Sequence, residues 1–154
     1  MRWLIDLDHQ LFQAINGGWS NSFFDLVFPV VTDLHHYLVF WIVTVLILAF
    51  WLYKERQKAV TVFVCLVVSV ALSETLSYRI VKNYVVRDRP EFTQSLAVNL
   101  RTHSHSGKSF PSLHASNNFA GATLLSLVYP ILSPLFFFLA TLISLSRIYV
   151  GVHF

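Results

Sequence analysis

The 154-residue chain is 55% hydrophobic and only 12% charged, against about 25% charged in ordinary soluble domains, so it lacks the polar surface that a water-soluble fold needs. Its formal charge of +3 comes from basic residues scattered between apolar runs and not gathered into a stripe, which argues against nucleic acid as a partner. Composition therefore describes an integral membrane protein, expected to be all-α: one domain over 1–154, a polytopic bundle of transmembrane helices with an N-terminal interfacial helix.

Residues 1–34 are the interfacial segment. Leu4, Leu7, Leu11, Phe12 and Ile15 recur at near-helical spacing opposite Asp6, Asp8, Gln10 and Gln13, the pattern of an amphipathic helix lying in the membrane surface. Gly17-Gly18 ends it, and the apolar stretch from Phe23 to Val31, broken by Asp25 and Pro29, leads into the bilayer. Asp6, Asp8 and His9 stand where the apolar run of a signal peptide would have to lie, so none is expected.

Four apolar stretches approach the roughly 20 residues that a spanning helix requires: 37–53, 59–81, 112–129 and 134–150. Pro134 suits the first turn of the last of these. Cys65 is the single cysteine and lies inside an apolar run, which leaves no intrachain disulfide. Glu74, a carboxylate inside the second span, is expected to pair with Arg79 or a polar neighbour, and Trp41, Trp51 and Tyr78 read as interface or packing aromatics. The short basic turn Lys54-Glu55-Arg56-Gln57-Lys58 places that end in the cytoplasm. The loop from Lys82 to Ser109 is basic too, with Arg87, Arg89, Arg101 and Lys108, and its cations are expected to be committed to an anion.

Three clusters then fall at span ends on the opposite surface. Lys82 and Arg89 are seven apart, close to two helical turns, and Pro90 stops any helix there. Pro111-Ser112-Leu113-His114 opens the third span, where free backbone N–H groups and the positive end of the helix dipole form an anion seat. Ser146-Arg147 and His153 lie where the fourth span returns to the same side. Cations and imidazoles beside hydrocarbon need a compensating anion, and a phosphoryl group fits three guanidinium and ammonium donors. His103-x-His105 with His114 lacks a carboxylate or cysteine partner at metal spacing, so no metal or other cofactor is expected.

Lys82-x6-Arg89-Pro90, Pro111-Ser112-x-His114 and Ser146-Arg147-x5-His153 together resemble the three-part signature of the type 2 phosphatidic acid phosphatase superfamily. The resemblance implies a metal-independent lipid phosphatase working through a phosphohistidine. By similarity His153 attacks phosphorus, His114 protonates the leaving oxygen, and Lys82, Arg89, Ser112, the backbone at Leu113 and Arg147 hold the phosphate. Candidate substrates are lipid A 1-phosphate, undecaprenyl diphosphate and phosphatidylglycerol phosphate. The setting it implies is the bacterial inner membrane with the site facing the periplasm; a non-catalytic binder of anionic headgroups is the alternative. Two departures stand out. Leu113 replaces the usual glycine, and the aspartate that the family carries four residues past the nucleophile would lie beyond Phe154, so a longer chain with a further span is expected, and a penultimate His153 would fray.

Overall fold

The structure is a computed structural model that describes residues 2–94, 96–103 and 107–154. Six helices carry the described chain, and no strand occurs among those residues.

Helix α1 (Arg2–Gln13) is two-faced. Leu4, Leu7 and Leu11 are exposed and Phe12 is buried, and a wide turn over Ala14–Gly18 ends the helix where the glycine pair stands. Asn21 then caps α2 (Ser22–Thr32), its side-chain oxygen receiving the Phe24 N–H at 3.0 Å. The two residues that interrupt its apolar run, Asp25 and Pro29, both fit within the helix. Asp25 sits in the first turn, where a carboxylate favours the helix dipole. Pro29 removes only one N–H donor, three residues before the helix ends. Far from merely leading into a bilayer, α2 lays Phe24 and Phe28 against Tyr149, with Phe28 and Tyr149 ring centroids 4.7 Å apart.

Helices α3 (Leu38–Lys54), α4 (Arg56–Tyr84), α5 (Leu113–Val128) and α6 (Ser133–Tyr149) occupy the four apolar stretches. Of these, α4 and the stretch ending in α6 (Pro130–Tyr149) are long and apolar enough to cross a membrane. Helix α4 runs three residues beyond the expected stretch at each end, through a widened turn at Leu76–Val81 that delivers Lys82. Small residues mark the helix contacts. Ala59, Ala122 and Ala140 are buried, and Gly121 faces Leu66, whose Cδ2 lies 3.8 Å from where a β-carbon would stand.

The outside of this bundle is apolar, and its inside mixes apolar with polar side chains. Leu38, Val39, Leu46, Ile47 and Phe50 on α3 are all more than 60% exposed, as lipid-facing residues must be. The buried set includes Asn16, Thr32, Arg89, Ser109, Ser146, Arg147 and His153. At one end the α3–α4 and α5–α6 turns meet, where the Tyr129 hydroxyl lies 3.3 Å from Glu55 and Lys58 sits 4.3 Å over the Tyr129 ring. The polar residues collect at the other end.

That end is held by Asn16. Its side-chain amide donates to the carbonyls of Asn99 and Tyr149 at 2.9 and 2.8 Å, and its carbonyl oxygen receives the Asn99 N–H at 2.8 Å. Gly151 passes directly beneath, at φ +87. A β-carbon there would stand 3.0 Å from the Asn99 carbonyl and from Val98 Cγ1. Gly151→Ala should therefore cost at least about 1–2 kcal/mol from backbone handedness alone, read as a drop in melting temperature of several degrees. A variant as stable as the parent would contradict the geometry.

Candidate active site

The last helix ends in a motif that aims its final residues back into the bundle. With Val150 as cap, Gly151 N–H donates to the Ile148 carbonyl at 3.0 Å and Val152 N–H to the Arg147 carbonyl at 3.2 Å, the paired bonds of a glycine-terminated helix. The His153 N–H reaches the same Arg147 carbonyl at 3.2 Å. Arg147 and His153 are thus fixed to one another through backbone, and both are buried, at 3% and 5% exposure.

His153 makes two ring contacts. Nδ1 lies 2.6 Å from the Ser109 carbonyl, which can only accept, so Nδ1 carries the proton and Nε2 presents its lone pair. Ser109 is itself held by its N–H donating to Arg87 O at 2.8 Å. Nε2 stands 3.4 Å from Arg89 Nη1. Burial first, then the positive charges of Arg89 and Arg147, push the His153 pKa down to about 3; the Ser109 bond opposes and Lys82 adds to the depression. His153 is a neutral imidazole in a cationic field.

Arg89 is pinned by donating from Nη1 to the Val152 carbonyl at 2.8 Å and from Nε to Gly107 O at 3.2 Å. Arg147 donates from Nη1 to the Thr32 hydroxyl at 2.9 Å. Lys82, at the outer end of α4, lies with its Nζ 5.6 Å over the Tyr78 ring. Ser112 caps α5 through the Ala115 N–H and shares a cavity of about 370 Å³ with His153, Ser109 and Phe110. Leu113 opens the helix, so its backbone N–H is among the first-turn donors whatever its side chain. His114 follows on that turn with its ring 6.3 Å from that of His35.

Arg89, Arg147 and His153 are therefore gathered closely, with Lys82 near enough to act on the imidazole. Ser112 shares the His153 cavity, and His114 stands two residues on along the same helix start. Ser146 is buried but bonds back to its own helix at Ile143 O, 2.7 Å away. A larger cavity of about 580 Å³ lies beside α1 and meets the first at Arg87 and Phe154.

Several expectations need correction. Arg101 and Arg87 are not left to bind an anion. Arg101 donates to Asp25 at 2.6 Å and to the carbonyls of Asn16 and Tyr149, and Arg87 is salt-bridged to Asp8. Glu74 and Arg79 form no ion pair among the described residues: both are exposed, and Arg79 lies within the widened turn that begins at Leu76. His153 is not left to fray, because Phe154 is clasped by His9, Phe12 and the Arg87 guanidinium, the last 3.7 Å from its ring centroid. The Ser109 carbonyl fixes the imidazole tautomer. His105 lies outside the described residues, and among those described no three metal-ligating side chains cluster. Thr32 and Asp33, within the segment read as interfacial, and His35 just after it reach Arg147 and His114 and were missed.

A helical bundle with lipid-facing apolar walls, enclosing a neutral imidazole among buried cations, defines a membrane enzyme of phosphoryl transfer. The chain belongs to the PAP2 superfamily, which matches residues 58–154, and is with that membership a lipid phosphatase. The structure of Aquifex aeolicus LpxE is similar to it, with TM-score 0.66 and 27% identity over 94% of this chain and 81% of that one. So is the transmembrane PAP2-type phosphatidylglycerolphosphate phosphatase from Bacillus subtilis, with TM-score 0.67 and 20% identity over 100% of this chain and 76% of that one. No curated protein matches the chain significantly.

The depressed His153 value has a consequence for stability. The folded value of about 3 lies below the ordinary 6.5, so as pH falls the unfolded chain takes the proton first. The contribution of neutral His153 is whole above pH 6.5 and is lost as pH falls toward 3. Melting temperature in detergent should decline over that window, and His153→Asn should flatten the decline. An equal slope in the variant would assign it to another group.

Proposed function

We propose that the protein removes a phosphate from a membrane lipid by double displacement through His153. Nε2 attacks phosphorus as the bond to the lipid oxygen breaks, and His114 gives that oxygen its proton. Water then attacks the phosphohistidine, returns a proton to His114 and releases inorganic phosphate. Arg89, Arg147 and Lys82, with the Ser112 hydroxyl and the Leu113 N–H, hold the nonbridging oxygens, in the way fixed cations stabilise a transferring phosphoryl group. The observation that carries this reading is the neutral His153 ring with its Nε2 lone pair among buried cations.

The site lies at one end of apolar helices, so a substrate can leave its tails in hydrocarbon while its headgroup reaches Nε2. Lipid A 1-phosphate is the favoured candidate, in keeping with the similarity to LpxE at 27% identity; undecaprenyl diphosphate and phosphatidylglycerol phosphate remain within the same chemistry. The basic turn at Lys54 to Lys58 supports a bacterial inner membrane orientation with the site on the periplasmic face.

Purified protein in chelator, offered each of these lipids, should release phosphate from at least one. His153→Ala should lower the rate by at least about 10³-fold, as removal of a nucleophile does, and His114→Ala by about 10²–10⁴-fold. Acid-labile label from a ³²P-lipid should appear on the parent and not on His153→Ala. Undiminished release in either variant would overturn the role given to that histidine, and a parent that binds these lipids without releasing phosphate would be a headgroup-binding protein.

A further inference from the structure

Arg147 is anchored from an unexpected quarter. Thr32 closes α2 and is 2% exposed; its hydroxyl oxygen receives the Arg147 Nη1–H at 2.9 Å across 115 positions of sequence. Asp33 Oδ1 lies 4.0 Å from the same nitrogen, and its other oxygen receives the Thr102 hydroxyl at 3.3 Å, so the turn is itself tethered. Arg147 Nε, in contrast, is buried with no hydrogen-bond partner.

A guanidinium is a rigid planar fork, so holding Nη1 sets the direction of Nε as well. A buried N–H without an acceptor is unfavourable, and an oxygen of a tetrahedral anion beside His153 would satisfy it. We propose that Thr32 is a positioning residue of the phosphatase, turning Arg147 so that its Nε–H addresses a phosphoryl oxygen. This rests on the phosphatase reading of the site. It adds α2, outside the three signature clusters, to the elements that shape phosphate binding.

The probe is orthovanadate, with affinity measured by calorimetry on full-length protein in detergent and chelator, alongside phosphate release from lipid. Thr32→Val, matched in shape but without the acceptor, should weaken vanadate roughly 10-fold, about one hydrogen bond to a charged group. It should lower kcat more than it raises KM, because the contact strengthens in the transition state. Thr32→Ser should recover most of both. On an Arg147→Lys background Thr32→Val should add little, since the two residues act through one interaction. Parental vanadate affinity in Thr32→Val, a Thr32→Ser variant as weak as Thr32→Val, or fully additive losses on Arg147→Lys would each overturn the assignment. So would a parent protein that does not bind vanadate. If Thr32→Val does not fold, the smaller Thr32→Ala carries the same comparison. A parent that binds vanadate yet releases no phosphate from any lipid refutes the phosphatase reading while leaving the Thr32 comparison intact.

Discussion

The carbonyl of Arg147 is the point on which the rest depends. It receives the N–H groups of Val152 and His153 and so fixes the distance between a guanidinium and an imidazole that sequence separates by six positions. The turn that allows this requires the left-handed backbone of Gly151, and the space beneath Gly151 is defined by Asn16 and Asn99. The site geometry is therefore set by backbone, and side chains fill it.

Burying cations in a membrane bundle demands compensation, and here neutral oxygens supply the direct hydrogen bonds, with the Asp33 carboxylate 4.0 Å from Arg147. Arg89 gives its bonds to the carbonyls of Val152 and Gly107, and Arg147 to the Thr32 hydroxyl. A carbonyl relieves desolvation without cancelling charge. The local field stays positive, and the imidazole within it stays neutral. Closer pairing falls on other cations: Asp25 takes Arg101, and Asp8 takes Arg87 at the rim where the two cavities meet.

The four apolar runs and the three clusters were legible because each has a strong local signal, hydrophobic length in one case and fixed spacing in the other. Partners supplied by backbone were not. Nothing about Ser109 as a residue type marks its carbonyl as the acceptor for His153, since every residue has one. Arg101 and Arg89 look alike in sequence, and only the three-dimensional position of Asp25 separates a structural cation from a phosphate candidate. Thr32, Asp33 and His35 offered a weaker clue. They precede the first long span, which puts them on the same surface as the clusters, and that inference needed only the topology already in hand. The amphipathic pattern of α1 drew attention to lipid and away from the bundle that α2 joins.

The bonds from Asn16 to Tyr149 and from Thr32 to Arg147 join positions 133 and 115 residues apart. Contacts of such separation form late, since closing a long loop precedes any reward from it. During synthesis, α1 and α2 must wait while four more helices are made, with the partners of Asn16 and Thr32 still absent. Only docking of the sixth helix brings Arg147 and His153 beneath them. A ribosome-bound chain lacking that helix holds several of the charges but none of the geometry, so the arrangement around His153 arrives in one step when that helix docks.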